Sequence, residues 1–195
     1  MATQHSALLV VDVQKDFCEG GALAVPGGDR VVPVLNRYLQ QAVAEGWRVY
    51  ASRDWHPPRS HHFRDHGGEW PIHCVQHSEG AAFHADLRLP PSTAIVSKGQ
   101  GVDDPGYSAV TGRLADGRTL LDDLREHDVQ RLFVGGLATD YCVKHSVLDA
   151  CDAGIDVTVL EDAIAAVDVH PGDGARALAE MRAAGAKIEV RSPDS

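Results

Sequence analysis

Six short apolar runs alternate with segments of helical periodicity along the chain, and this alternation restricts the fold more than any other feature. The runs cover residues 7–13, 47–52, 93–97, 129–134, 155–160 and 187–190. The first, ALLVVDV, is continuously apolar until it ends in a carboxylate, as expected of a central parallel strand covered on both faces. Between the runs, Val32, Leu35, Leu39 and Val43 recur at helical spacing within residues 29–45, and Gly46 stops that helix. Further helices are predicted over residues 80–86, 119–127 and 172–184, and another from near Asp140. Strands alternating with helices call for an α/β fold, a Rossmann-like three-layer α/β/α sandwich around a mostly parallel sheet of about six strands. With 195 residues and no repeat, low-complexity stretch or linker, residues 1–195 read as a single domain.

Composition narrows the function classes. The formal net charge of −10 argues against nucleic acid and anionic membranes as partners. No apolar segment is long enough to span a bilayer, and residues 7–11 are too short and lack the basic flank of a secretory signal. Four cysteines in such a context read as reduced thiols, which points to a cytoplasmic protein. Neither a G-x-G-x-x-G after the first strand, nor a G-x-S-x-G elbow, nor a phosphate-binding P-loop is present, which counts against a dehydrogenase, a serine hydrolase and an NTPase.

The polar residues with reactive chemistry follow the strands. Asp12, Asp54, Lys98 and the turn at residues 135–142 each stand at the carboxyl end of a different predicted strand. Open α/β sheets bind ligands at that edge. Cys142 lies where a strand turns into a helix, GGLATDYCVKHSVLDAC, so its thiol is expected to ionise more readily than a free cysteine. Alone, it would more readily be a small buried structural cysteine. Asp12 is a candidate base beside it, and Lys98 a candidate charge partner for thiolate and carboxylate, although a strand-end aspartate and a lysine are more often simply solvated. Eleven histidines is a high count, and His56, His61, His62, His66 and His73 fall within one long polar segment, residues 53–80. Asp54 and His56 are two apart in extended chain and point to one side. A carboxylate and imidazoles suit Zn²⁺, Fe²⁺ or Mn²⁺, and an exposed histidine-rich loop is an equal reading. Phe17, Trp70 and Pro71 add apolar surface near the same rim.

VVDVQKDFCEGGALAV (residues 10–25), DWH with HHF (54–63), EWPIHCV (69–75), SKG (97–99) and GGLATDYCV (135–143) together resemble the nicotinamidases, members of the isochorismatase-like cysteine hydrolases. The resemblance runs in order over nearly the whole chain. It implies a triad of Asp12, Lys98 and Cys142, and one divalent metal ion, zinc before iron or manganese, held by Asp54, His56, His62 and His73. His61 and His66 match no ligand position, and Ser60 stands where the common pattern has a histidine. The resemblance also implies a cis peptide between Leu137 and Ala138, an oxyanion hole from the N–H groups of Ala138 and Cys142, and substrate contacts from Phe17, Trp70, Leu137 and Tyr107. The implied substrate is nicotinamide, hydrolysed to nicotinic acid and ammonia through a thioester in NAD salvage. Pyrazinamide as a further substrate and a homo-oligomeric state are left open. The rivals are a related small-amide hydrolase and a non-catalytic metal- or ligand-binding protein on the same fold. The first is disfavoured by Asp54, His56 and His73 where it is an isochorismatase proper, the second by the intact triad.

Overall fold

The computed structural model describes residues 5–190. Six strands form one sheet: β1 (Ser6–Val11), β2 (Arg48–Asp54), β3 (Ala94–Lys98), β4 (Arg131–Leu137), β5 (Asp156–Ala165) and β6 (Lys187–Glu189). Their order is β3-β2-β1-β4-β5-β6 and every pairing is parallel. The helices are α1 (Val31–Ala44), α2 (Leu120–Glu126), α3 (Lys144–Asp152) and α4 (Asp173–Ala183). The α/β sandwich expected from the alternation is present, and its sheet is wholly parallel.

Strand β1 shows why the run had to be continuous. Leu8 and Val10 face one core with α1, while Ala7, Leu9 and Val11 face the other with α2, α3 and α4. All are fully buried, so an apolar run covered on both faces is what this strand needs. The stripe of α1 is formed by Val31, Val32, Leu35, Tyr38, Leu39 and Ala42. Val43, assigned to that stripe by its spacing, is 59% exposed. Its predecessor Ala42 takes the buried position on the last turn.

The segment between β2 and β3 holds the largest departure from expectation. It crosses over on the α1 face without an α-helix, only a single 3₁₀ turn at Arg64–His66, and contributes Cys74, Ala81 and Leu87 to that core. Residues 80–86 form turns, not the expected helix. Their backbone groups are engaged elsewhere: Lys15 N–H donates to Ala82 O, Asp16 N–H to Gly80 O and His84 N–H to Val13 O. The loop after β1 thus takes the hydrogen bonds that a helix would need.

Strands β4 and β5 run further than their apolar stretches. At the pair Gly135–Gly136 the β4–β5 register shifts, and Gly136 then pairs with Ile164 and Leu137 with Ala165. Gly136 has φ +124°, and a Cβ on it would stand 2.1 Å from Val11 O on the neighbouring strand. Only glycine fits this close approach. Gly136→Ala should therefore destabilise the fold by about 2 kcal/mol or more, combining backbone strain with overpacking. Urea denaturation would measure it, and a wild-type midpoint would contradict the account.

Candidate active site

The order of the sheet reverses direction between β1 and β4, and ligands bind outside the strand ends at such a switch point. Asp12 follows β1 directly, with φ +48°, so the chain leaves the sheet there. Ala138 follows β4, and the peptide between Leu137 and Ala138 is cis. Asp54 and Lys98 close β2 and β3 and stand opposite each other in register.

Lys98 draws these ends together. Its Nζ lies 2.7 Å from Asp12 Oδ2, 2.6 Å from Gly106 O and 3.3 Å from the Cys142 Sγ, and it also bonds Asp54 Oδ1. One oxygen each of Asp12 and Asp54 and the Cys142 sulfur lie within 4.8 Å of one another. Ser52 Oγ donates to Asp12 Oδ1 at 2.7 Å and fixes the other carboxylate oxygen. All of these groups are buried. Burial would push the Lys98 ammonium down, but the two carboxylates and the thiol hold it well above its ordinary value. Burial likewise raises Asp12, opposed by Lys98 and reinforced by Asp54. For Asp54 burial also acts upward, but Lys98 outweighs it and holds the carboxyl well below the usual range.

Cys142 corrects one expectation. Residues Thr139–Val143 form a wide π-helical turn, with Val143 N–H bonded to Ala138 O, and α3 continues from it. Such turns are frequent at functional sites. The thiol is nevertheless not easily ionised. With 7% of its surface exposed, burial pushes it well up; Lys98 pulls it down, and Asp12 and Asp54 raise it again. Loss of water around the sulfur and two nearby carboxylates outweigh the ammonium and the helix end. The resting group is a thiol that must pass its proton to a neighbour as it reacts.

Above this cluster stand three histidines. His56, His62 and His73 each offer a ring nitrogen within 4.8 Å of the others. His73 Nδ1 faces Pro71 O at 2.8 Å. A carbonyl can only accept, so Nδ1 carries the proton and Nε2 presents a lone pair. That lone pair lies 3.7 Å from Asp54 Oδ2, and His56 Nε2 lies 3.5 Å from the same oxygen. His56 is fully buried, and neither of its ring nitrogens has a hydrogen-bond partner among the described residues. Lone pairs converging on a carboxylate oxygen, without donors between them, fit a bound cation. His62 completes the set; burial, with His56 and His73 beside it, pushes it down to about 4, which leaves its nitrogen unprotonated at neutral pH. His61 instead pairs with exposed Asp103 at 2.7 Å, and His66 is exposed outside the set. Another group, Cys18, Asp29 and His84, is closed to a metal: His84 Nδ1 accepts the Asp86 N–H, so its Nε2 carries the proton toward Asp29.

An open cleft with about 360 Å³ of empty space, open solvent included, joins the two clusters. Asp54, His62, His73 and Cys142 reach into it from the polar side, and Phe17, Leu23, Val25, Trp70, Tyr107, Ala138, Tyr141 and Val167 line the rest. Phe17, Trp70 and Tyr107 thus stand where the sequence placed them. Trp70 Nε1–H donates to Tyr107 Oη at 3.0 Å and ties two walls together. Leu137, expected at the substrate, is fully buried and belongs to the α1-face core. Its Cδ1 lies 3.4 Å from where a Gly28 Cβ would be, because strand alternation turns that side chain away from the cavity. Residues not foreseen include Ser52, Tyr141, Val167 and Asp140. The Asp140 carboxylate is buried and accepts the N–H groups of Val167 and Asp168 at 2.9 and 2.8 Å, seating the Val167 wall. Only the position of Asp140 in the ATDYC turn signals it in sequence.

Residues 6–190 match the isochorismatase domain. The chain belongs to the isochorismatase family. It is 45% identical to the nicotinamidase of Escherichia coli over 198 aligned residues, covering 93% of each chain. A structure described as the pyrazinamidase of Pyrococcus horikoshii in complex with zinc superposes with a TM-score of 0.88, at 41% identity, covering 96% of this chain and 99% of that one. A structure of an L. infantum protein in complex with nicotinate gives a TM-score of 0.85 at 34% identity, covering 97% and 94%. Among the described residues no helix is long and apolar enough to cross a membrane.

Removing one imidazole of a closed set weakens the whole set. His56→Ala should leave the fold in place and lower the divalent metal retained after dialysis, measured by elemental analysis. Retention equal to that of the unaltered protein would contradict the site.

Proposed function

We propose that this chain is a metal-dependent cysteine amidohydrolase that converts nicotinamide to nicotinic acid and ammonia. The observation that carries this reading is the meeting of two clusters at one aromatic-lined cleft: Lys98 with Asp12 and Cys142 on one side, the three histidines with Asp54 on the other. Similarity to proteins named for nicotinamide hydrolysis, and to structures holding zinc or nicotinate, supports it. Residues 1–195 act on this reading as one hydrolase domain in the cytoplasm, a setting that suits four free cysteines. Zinc is the ion of choice for this donor set, with iron and manganese the alternatives. Pyrazinamide, a similar ring carboxamide, is a second substrate.

Asp54, His56, His62 and His73 would hold the ion, which would supply Lewis-acid polarisation of the substrate ring. Phe17, Trp70 and Tyr107 confine the ring, which sets the carboxamide carbon against Cys142. The sulfur attacks that carbon while the thiol proton passes to Asp12. The N–H groups of Ala138 and Cys142 hold the oxygen as it takes negative charge. Collapse breaks the C–N bond, and Asp12 returns the proton to the departing nitrogen, giving ammonia and a thioester on Cys142. Asp12 then takes a proton from a water that attacks the thioester, and the C–S bond breaks to release nicotinic acid and restore the thiol. Burial raises the proton affinity of the Asp12 carboxyl, which makes it a stronger acceptor than a carboxylate in water. Lys98 keeps its proton throughout and offsets the negative charge that moves between sulfur and carboxylate.

Ammonia release from a panel of amides tests the reading: nicotinamide should lead the panel, and turnover confined to a non-aromatic amide would overturn it. Cys142→Ala should abolish turnover while metal content and fold persist, and the thioester should map by mass spectrometry to Cys142, not Cys18, Cys74 or Cys151. Asp12→Asn should lower kcat by roughly 10²–10⁴ with metal content nearly unchanged. His73→Ala should act on metal retention and KM first.

A further inference from the structure

Asp54 is the residue common to both clusters, with Oδ1 on Lys98 and Oδ2 toward His56 and His73. A carboxylate shared in this way needs a fixed main chain, since a small rotation toward one cluster takes it from the other. The sheet supplies only part of that fixity. The β1–β2 pairing ends at Val11 and Ser52, and Asp12 N–H donates to Ser52 O at 3.1 Å before β1 turns out of the sheet. Asp54, two residues beyond, has no β1 main chain beside it.

The Gln14 side chain occupies that place. Its Nε2 donates to Asp54 O at 2.9 Å, and its Oε1 accepts the Asp54 N–H at 2.8 Å. The carboxamide thus offers Asp54 one donor and one acceptor, as a neighbouring strand would. Its second Nε2 proton goes to Ala81 O at 2.9 Å, which anchors the amide to the crossover segment. These three partners fix the orientation of the amide, because a flipped group would set its oxygen against two carbonyls. Gln14 is fully buried, so no water competes for these bonds.

We infer that Gln14 is a positioning residue for the metal centre: its carboxamide replaces the missing strand beside Asp54 and aims that carboxylate at Lys98 and the histidines together. The inference rests on the metal reading above. It touches neither substrate nor metal in its own right and acts through Asp54.

Direct metal binding tests it. Metal-free protein is titrated with zinc in competition with a chromophoric chelator, for the unaltered chain and for Gln14→Met, Gln14→Glu and Met181→Ala. Gln14→Met keeps the length and removes all three bonds. Gln14→Glu keeps the acceptor for the Asp54 N–H, loses both donors, and carries the test should Gln14→Met not fold. Met181, fully buried under α4 in the opposite core, controls for general loosening. Zinc affinity should fall roughly 10- to 100-fold in the Gln14 variants, as for other residues that orient a metal ligand. Zinc-loaded Gln14 variants should also raise KM for nicotinamide by a larger factor than they lower kcat. Met181→Ala should lower Tm and leave zinc affinity as it was. Folded Gln14 variants with unaltered zinc affinity would overturn the inference, as would an equal loss in Met181→Ala. If the unaltered chain itself takes up no zinc, iron or manganese, the metal reading fails, and this inference with it.

Discussion

The ammonium of Lys98, buried among two carboxylates, a carbonyl and a thiol, is the contact on which the rest of the site depends. A charge placed so far from water is stable only with close, well-oriented partners, and removing one member of such a group typically costs about 3–5 kcal/mol. Two carboxylates against one ammonium leave one negative charge over. Its open oxygen, Asp54 Oδ2, points to the histidines. The Lys98 cluster and the histidine cluster are therefore one electrostatic unit, in which the unbalanced charge of the first would favour a cation at the second.

The sheet makes this unit geometrically available. Parallel strands end together at one edge, so four residues separated widely in sequence arrive at one rim. The switch between β1 and β4 opens the crevice, and Gly136 lets β4 approach Val11 closely enough to bring the Cys142 turn beside Asp12. The crossover between β2 and β3, which has no α-helix, accounts for the supply of side chains to this crevice. An α-helix there would use its own backbone bonds, whereas this irregular segment supplies His62, His73 and Trp70 to the cavity, places His56 behind them and gives Ala81 O to Gln14.

Burial of the whole unit decides how the sulfur can react. A helix start favours thiolate in a solvated setting, but Cys142 loses most of its hydration and sits beside two carboxylates. The same burial raises Asp12. The site raises the acceptor carboxyl and does not store a thiolate in advance. That arrangement suits a group that must take a proton from sulfur and later return it to nitrogen.

The sequence alone determined the layer architecture, since a fully apolar run can only be a strand covered on both faces, and the strand ends named Asp12, Asp54, Lys98 and Cys142 before any contact was visible. The histidine-rich excursion and the ordered motifs likewise identified the chemistry. Tertiary structure decided what periodicity and spacing do not encode. Val43 fits the α1 stripe by count yet lies beyond the edge of the core. Residues 80–86 have helical composition but give their hydrogen bonds to the loop after β1. Leu137 sits in the motif but on the strand face turned away from the cavity. The double duty of Asp54 and the clamp of Gln14 depend on contacts between segments about 40 residues apart. Local sequence fixes which way a strand or helix presents its side chains. Which distant group meets them, and whether water remains between, is settled only when the layers close.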